Sequence, residues 1–204
     1  MKKIILLLVF AFIMTNVSLG FVADKQKEAD AKQIATCTKA ITANPNDVAA
    51  YVKRGKAYTS NNQLTLAIAD YTQALKLDPK NVQAYAARGL SYSEAKQYEA
   101  ALADYSSIID ISPYDIEAHF RRGICYYYTG QYELGIGDVE QVLAVQPQHA
   151  GAYLIKGVCY QKLERNVEAI AAYKSLLANV PANKQTQEAI AVAKKMLKTL
   201  GVEP

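Results

Sequence analysis

Prolines recur along this chain at one constant spacing. They are Pro45, Pro79, Pro113, Pro147 and Pro181. The period of about 34 residues lies within the range of about 20 to 50 that is typical of repeat proteins, in which copies of one supersecondary unit stack on their neighbours. Such arrays form long surfaces that hold partners, so the period bears on function as well as on fold.

Each period predicts two helices joined by a short turn. Proline lacks an amide N–H and disfavours helix in the residue before it, so it ends each unit. In the second unit we expect a first helix over Asn81–Glu94, a turn at Ala95–Gln97 and a second helix from Tyr98 to Ile109. The four predicted units are Val48–Asn81, Val82–Asp115, Ile116–His149 and Ala150–Asn183.

Glycines and aromatic residues keep the same period inside the helices. A glycine in the middle of a helix costs about 1 kcal/mol relative to alanine, so close approach of the second helix must offset it. We expect the small residues Ala67, Ala101, Gly135 and Ala169 to face the glycines. An aromatic stripe at helical spacing is usually core, and we interpret the tyrosines in this way. The recurring residues are Gly55, Gly89, Gly123, Gly157, Tyr58, Tyr92, Tyr126 and Tyr160.

This pattern, a large residue followed by Gly, Tyr, Ala, Tyr and Pro within each period, resembles the tetratricopeptide repeat. The resemblance covers residues 48–183. It implies an all-α, right-handed solenoid of antiparallel helix pairs, with a concave groove lined by the first helix of each pair. It also implies a protein-binding scaffold.

The chain departs from that family at the residue before each glycine, which is usually leucine. Here it is Arg54, Arg88, Arg122 and Lys156. Each arginine is followed at one fixed interval by an aspartate, and the fourth unit has Ala172 there instead. Because the two helices of a hairpin are antiparallel, we expect each Arg to meet an Asp of its own repeat or of the adjacent one, with N–O distances near ~2.8 Å. The alternative is that both side chains are solvated. The aspartates are Asp70, Asp104 and Asp138.

Arrays need atypical terminal units, and both ends of this one fit that rule. Residues 21–47 predict an N-terminal half repeat, with an amphipathic helix over Asp24–Thr42. Residues 184–204 predict a capping helix and tail, with the helix over Gln185–Leu200 and an apolar face that includes Ile190, Ala193 and Leu197.

Residues 1–20 have the composition of a secretory signal. Lys2 and Lys3 precede an apolar run from Ile4 to Met14, and Gly20 is the expected cleavage position. We therefore expect an exported protein, periplasmic or secreted. An uncleaved anchor is the alternative, although the run is shorter than the ~20 residues of a spanning helix.

Charge and cysteine content limit the function classes. The chain has 23 basic and 19 acidic residues, and two of the basic ones, Lys2 and Lys3, belong to the predicted signal. This balance does not favour nucleic acid or an anionic membrane. Export would permit disulfides, but Cys125 and Cys159 occupy equivalent helices of adjacent units, which pack too far apart. We expect the three cysteines to be small buried side chains.

No catalytic pattern stands out in the sequence. His119 and His149 fit no metal motif, and His119 replaces a core tyrosine. There is no glycine-rich phosphate loop. We therefore expect neither an enzyme nor a cofactor, metal or small-molecule substrate.

The family resemblance places repeat positions 2, 5, 9 and 12 of each first helix in the groove. The groove becomes more apolar towards the C-terminal units, and a large apolar patch often marks a contact. The C-terminal helix or a dimer is the alternative cover for this patch. The Lys and Asn that bind C-terminal carboxylates in some family members are replaced here by Val52 and Lys56. The predicted partner-binding residues are Val52, Lys56, Gln83, Leu90, Glu117, Phe120, Ile124, Tyr127, Leu154 and Val158.

The resulting prediction is a non-catalytic scaffold or adaptor of the cell envelope that binds a peptide, helix or protein. A self-associating structural module and an accessory subunit of an envelope enzyme or assembly machine are the alternatives. Contact with a membrane is expected only through an uncleaved N-terminal segment.

Overall fold

The computed structural model of the chain describes residues 21–203, and it describes side chains from Gln26. The predicted signal lies outside the described residues. These residues contain ten α-helices and no strand. The helices are α1 (Phe21–Ala43), α2 (Val48–Ser60), α3 (Leu64–Leu77), α4 (Val82–Glu94), α5 (Tyr98–Ile111), α6 (Ile116–Tyr128), α7 (Tyr132–Val145), α8 (Ala150–Lys162), α9 (Asn166–Asn179) and α10 (Gln187–Thr199).

The prediction of an all-α fold built from helix hairpins is confirmed. Helices α2 and α3 pack against each other, as do α4 with α5 and α8 with α9. Helix α3 ends two residues before Pro79, and helix α5 ends two residues before Pro113. The proline therefore stops the second helix of the hairpin, as its missing N–H requires.

A side chain with the same period begins the first helix of every hairpin. Asp47 accepts a hydrogen bond from the Ala50 amide at 2.9 Å, and Asn81 accepts one from Ala84 at 2.9 Å. Asp115 and His149 fill the same place in the next two repeats. In His149 the ring atom Nδ1 is the acceptor, which makes this histidine a helix cap.

The turn between the two helices of each hairpin requires a left-handed residue at one position. Asn62, Lys96 and Glu164 have φ values of 59°, 60° and 60°, and Gly130 has 78°. These residues occupy the same position in successive repeats. Only the third repeat has a glycine at this position, and glycine adopts the left-handed conformation without a steric penalty because it has no Cβ.

Close packing requires the mid-helix glycines, and the nearest neighbour of three of them is an aromatic ring rather than the small residue expected from the sequence. A Cβ on Gly55 would lie 2.6 Å from Cε1 of Tyr71, and one on Gly89 would lie 3.0 Å from Cε1 of Tyr105. Gly157 meets Tyr173 in the same way. The aromatic ring of the second helix thus fills the space that the small residue was expected to face.

The third repeat differs because Val139 replaces this tyrosine. Here the backbones themselves approach, since a Cβ on Gly135 would lie 3.1 Å from the carbonyl oxygen of Gly123. The smaller side chain leaves room for the two glycines to face each other, as the sequence predicted for this pair.

The described residues form two compact units, divided between Ala118 and His119. In the first unit (residues 21–118), helix α1 packs against α2, and Cys37 of α1 is buried. In the second unit (residues 119–203), the core contains Tyr153 and Tyr173 together with α10 side chains. Helix α10 runs from Gln187 to Thr199, and Ala193 and Leu197 are buried as expected. Among the described helices, none has the length and apolar character needed to span a membrane.

Candidate partner-binding surface

The arginines that replace the family's usual leucine each bind the aspartate of their own hairpin. Nε of Arg88 donates to Oδ2 of Asp104 at 2.9 Å, and Nη2 donates to Oδ1 at 2.7 Å. Arg54 binds Asp70 in the same two-bond geometry at 2.8 and 2.7 Å. Arg122 and Asp138 repeat it at 2.8 Å for both bonds. The predicted pairing is confirmed, and it is of the strong bidentate type.

Each pair also connects neighbouring structure in the first unit. Nη1 of Arg88 donates to the Thr72 hydroxyl of the preceding hairpin at 3.0 Å, and Arg54 reaches Thr38 of α1 at 3.1 Å. The guanidinium of Arg88 lies 5.8 Å from the ring centroids of both Tyr85 and Tyr92. The pair therefore links two successive repeats and lies between two aromatic rings.

Burial dominates the electrostatics of Asp104. Its side chain is 3% exposed, against 18% for Arg88. Burial raises the pKa of the Asp104 carboxyl, and the Arg88 guanidinium opposes this rise only in part. The ion pair raises the pKa of Arg88 despite its burial. Arg88 therefore remains charged and compensates a carboxylate that burial would otherwise disfavour.

The third repeat adds a histidine to this arrangement. Nδ1 of His119 lies 2.8 Å from Oδ1 of Asp138, so the carboxylate faces both His119 and Arg122. His119 is buried, as expected for a residue that replaces a core tyrosine. It is a polar core residue at the centre of a hairpin, and its partner is an aspartate that recurs for structural reasons.

The fourth repeat has no such pair. Ala172 takes the place of the aspartate and is buried, and Lys156 pairs with Glu140 of α7 at 2.8 Å. Both members of this pair are more exposed than the arginine pairs, at 24% and 48%. The sequence predicted the loss of the arginine–aspartate pair in this repeat. It did not predict Glu140 as the partner of Lys156, because no acidic residue recurs with the period at the position of Glu140.

The predicted groove residues of the first unit are mostly accessible. Lys56, Gln83 and Glu117 are exposed, and Leu90 is half-buried. Val52 is only 3% exposed and belongs to the core around Tyr71. The accessible part of this surface is thus polar, with Leu90 as its apolar contact, and its assignment to a partner stays a prediction.

The predicted groove residues of the second unit are mostly apolar. Phe120, Ile124 and Tyr127 are half-buried. Phe120 packs on His149 at a ring distance of 4.4 Å and occupies the space beside Gly151. Leu154 and Val158 are 8% and 5% exposed.

Helix α10 provides part of the cover over Leu154 and Val158. Both belong to one buried cluster with Ala193, Met196 and Leu197 of α10. Helix α10 also packs against α8 and α9. In this structure Leu154 and Val158 are therefore core residues, which corresponds to the alternative that the C-terminal helix covers the patch.

The described part of the chain offers few groups for chemistry. It contains no cluster of His, Cys, Asp and Glu side chains arranged to hold a metal ion. Cys37, Cys125 and Cys159 are buried thiols, as expected. Burial raises the pKa of Cys159 to about 12, so its thiol stays protonated and unreactive at neutral pH.

Family models match most of the repeat region. A model described as TPR repeat matches residues 55–96, and two models described as tetratricopeptide repeat match residues 82–115 and 120–184. No curated protein matches the chain in sequence.

Solved structures share the fold at low sequence identity. A crystal structure of MamA has a TM-score of 0.70 and 23% identity, over 80% of this chain and 96% of that chain. A second crystal structure of MamA protein has a TM-score of 0.70 and 20% identity, over 90% and 94%. MamA 41-end from Desulfovibrio magneticus RS-1 has a TM-score of 0.68 and 18% identity, over 79% and 96%. With its period, its hairpins and these family matches, the chain belongs to the tetratricopeptide repeat family.

Proposed function

We propose that this protein is a non-catalytic scaffold of the cell envelope that holds a protein partner along the first helices of its repeats. Tetratricopeptide repeats are protein-interaction modules, and a scaffold role follows from the family. The observation that carries the proposal is the accessible row of side chains on α2 and α4 in the first unit. Lys56, Gln83 and Leu90 recur on the same side of successive first helices without being needed for the core.

The second unit contributes a different surface to this proposal. Phe120, Ile124 and Tyr127 of α6 are apolar and remain partly accessible. Aromatic side chains such as Phe120 and Tyr127 are enriched in protein–protein interfaces. This surface is therefore expected to contact an apolar face of a partner.

The envelope location rests on residues 1–20 and on nothing in the described structure. A basic start, an apolar run and small residues near Gly20 are the pattern of an export signal. Fractionation of cells that express the chain with a C-terminal tag tests this location. A processed protein in the periplasm or medium supports export, and an unprocessed protein in the cytosol contradicts it.

Capture with matched variants tests the partner-binding role. The tagged chain is used to capture proteins from the envelope fraction, alongside Leu90→Asp, Phe120→Ala and the control Lys76→Ala, which alters an exposed lysine of α3. We expect one partner to be lost with both groove variants and retained with the control, while circular dichroism shows unchanged helix content. Equal capture by all variants would reject the groove.

Exposed apolar side chains on the second helices favour self-association as a second candidate function. Leu134 and Val145 of α7 are 53% and 62% exposed, and Val167 of α9 is 78% exposed. Light scattering over a range of concentrations distinguishes the two functions. A mass that stays monomeric excludes the self-associating module, and a dimer that Val145→Lys dissociates supports it.

A further inference from the structure

A cleft opens between α1 and α2 in the first unit. Its volume is about 450 Å³. One wall carries residues at helical spacing on α1, and the other carries residues at helical spacing on α2. The lining residues are Gln26, Asp30, Gln33, Lys53, Lys56, Ala57 and Ser60.

Asp30 lies in the wall of this cleft and is buried without full hydrogen bonding. The residue is 6% exposed, and its Oδ1 accepts a hydrogen bond from Nε2 of Gln26 at 2.9 Å. Its other carboxylate oxygen, Oδ2, is buried and has no hydrogen-bond partner in the described part of the chain. Buried carboxylate oxygens are nearly always paired, so Asp30 lacks a donor. Gln26, which donates to Oδ1, also lines the cleft and is exposed, so its side chain can change rotamer.

The accessible charge of the cleft is positive. Lys53 and Lys56 are exposed, and neither forms an ion pair with another described residue. Helix α2 contains no acidic residue, and its remaining cation, Arg54, is held by Asp70. Since Lys53 and Lys56 are three residues apart, they lie on one side of α2.

The next repeat shows what covers the equivalent side of a first helix. Ser91 of α4 is fully buried, and its hydroxyl lies 3.1 Å from the Thr59 hydroxyl of α2. Ala57 precedes Ser91 by one period and lies in the cleft. On α4 this side is covered by a preceding first helix. On α2 the cover comes from α1, which leaves the cleft open beside Ala57.

We propose that this cleft is a docking site for an acidic helical segment of a partner protein. Carboxylates on the segment pair with Lys53 and Lys56, and a hydroxyl or amide donor on the same face binds Oδ2 of Asp30. The site shares Lys56 with the predicted groove, and it extends beyond the groove residues through Lys53, Asp30 and the α1 wall.

A synthetic helix tests the charge requirement. The probe is a fluorescent alanine-rich peptide of about 18 residues, long enough to populate a helix, with Glu at i and i+3 and Ser one turn away. A matched peptide carries Lys in place of Glu. We expect the Glu peptide to bind the full chain and the Lys peptide not to bind, with affinity falling as salt rises.

Charge reversal on the protein should invert this preference. Lys53→Glu with Lys56→Glu should weaken binding of the Glu peptide about tenfold, since two ion pairs are lost, and should create binding of the Lys peptide. The control is Lys76→Glu with Lys80→Glu, which reverses two exposed lysines of the same unit outside the cleft. Equal loss in the control would overturn the proposal, because binding would then reflect net charge alone.

Substitution of Asp30 provides a test whose expected result cannot be explained by net charge. Asp30→Ala makes the protein more positive, so a purely electrostatic attraction would strengthen binding of the Glu peptide. We expect weaker binding instead, by about threefold to tenfold, because the donor on the probe loses its acceptor. Tighter binding by Asp30→Ala would overturn the site. A dimer of the full chain that dissociates in Lys53→Glu would also overturn it, since a second copy would then be the occupant.

Discussion

The hairpins α4–α5 and α8–α9 share the same repeat pattern but differ in the number and type of side chains that they bury. Helix α4 has three buried residues, Ala84, Gly89 and Ser91, and its hairpin holds the ion pair of Arg88 and Asp104. Helix α8 has nine buried residues, from Ala150 to Cys159, and its hairpin lacks the arginine–aspartate pair because the buried Ala172 takes the place of the aspartate. The difference shows that one repeat can serve as an open polar surface or as a hydrophobic core.

The neighbours of each hairpin account for this difference. Helix α8 packs against α7, α9 and α10, and its buried cluster includes Leu197 and Met196 of α10. In the first unit Gln83 and Leu90 of α4 stay accessible. The arginine–aspartate pair is present in the hairpin whose first helix keeps accessible side chains, and it is absent from the hairpin that packs against α10.

Removing Asp104 should have the largest effect on the α4–α5 hairpin. Asp104→Ala leaves the Arg88 guanidinium without its carboxylate, and we expect a loss of about 3–5 kcal/mol in the free energy of unfolding. Arg88→Ala combined with Asp104→Ala should cost less than Asp104→Ala alone. Urea denaturation of the double-mutant cycle measures the coupling, and a coupling energy near zero would show that the pair is solvated.

Truncating the cover of α8 should have a similar but smaller effect on the other hairpin. Leu197 is fully buried in α10, so Leu197→Ala should cost about 2–5 kcal/mol. Its control is Leu134→Ala on α7, which alters a side chain that is 53% exposed and should change stability little. The comparison fails if both variants unfold at the same urea concentration, because α10 would then not be part of the core.

A methyl group at Gly157 should be less costly. Gly157→Ala places a Cβ against the ring of Tyr173, and overpacking of this kind costs about 1–3 kcal/mol. Gly137→Ala in α7 is the matched control, since a Cβ there meets no atom within 4 Å. Helix propensity should make Gly137→Ala stabilising by up to about 1 kcal/mol. Opposite shifts in thermal midpoint are expected, and shifts of the same sign would reject the close contact.

The ion pair of the fourth repeat should contribute least. Lys156 and Glu140 are 24% and 48% exposed, and exposed pairs contribute about 0–1 kcal/mol. Lys156→Ala should therefore barely change stability, and the small change should vanish in high salt. A loss comparable to that of Asp104→Ala would mean that the fourth repeat does contain a buried ion pair.

Much of the fold was predictable because the local rules recur with the period. Pro79 and Pro113 mark helix ends through a missing N–H, and Gly89 marks a close contact through its cost in a helix. The pairing of Arg88 with Asp104 was also predictable, because antiparallel helices joined at a fixed turn bring these two positions to one level. The partner of Gly89 was not, since the sequence does not show which of two facing side chains fills the gap.

The candidate site depends far more on contacts between distant segments. The sequence determined that Leu154 and Val158 are apolar and lie on the groove side of a first helix, but their burial followed from α10, which lies beyond the next helix along the chain. Likewise, Asp30 and Lys53 belong to two helices whose separate patterns contain no sign of a shared cleft. Helical periodicity is a local property that each turn of the sequence shows. The exposure of a side chain depends instead on which other part of the chain packs against it. The sequence therefore determined the repeat, and the tertiary structure decided which faces of it remain open.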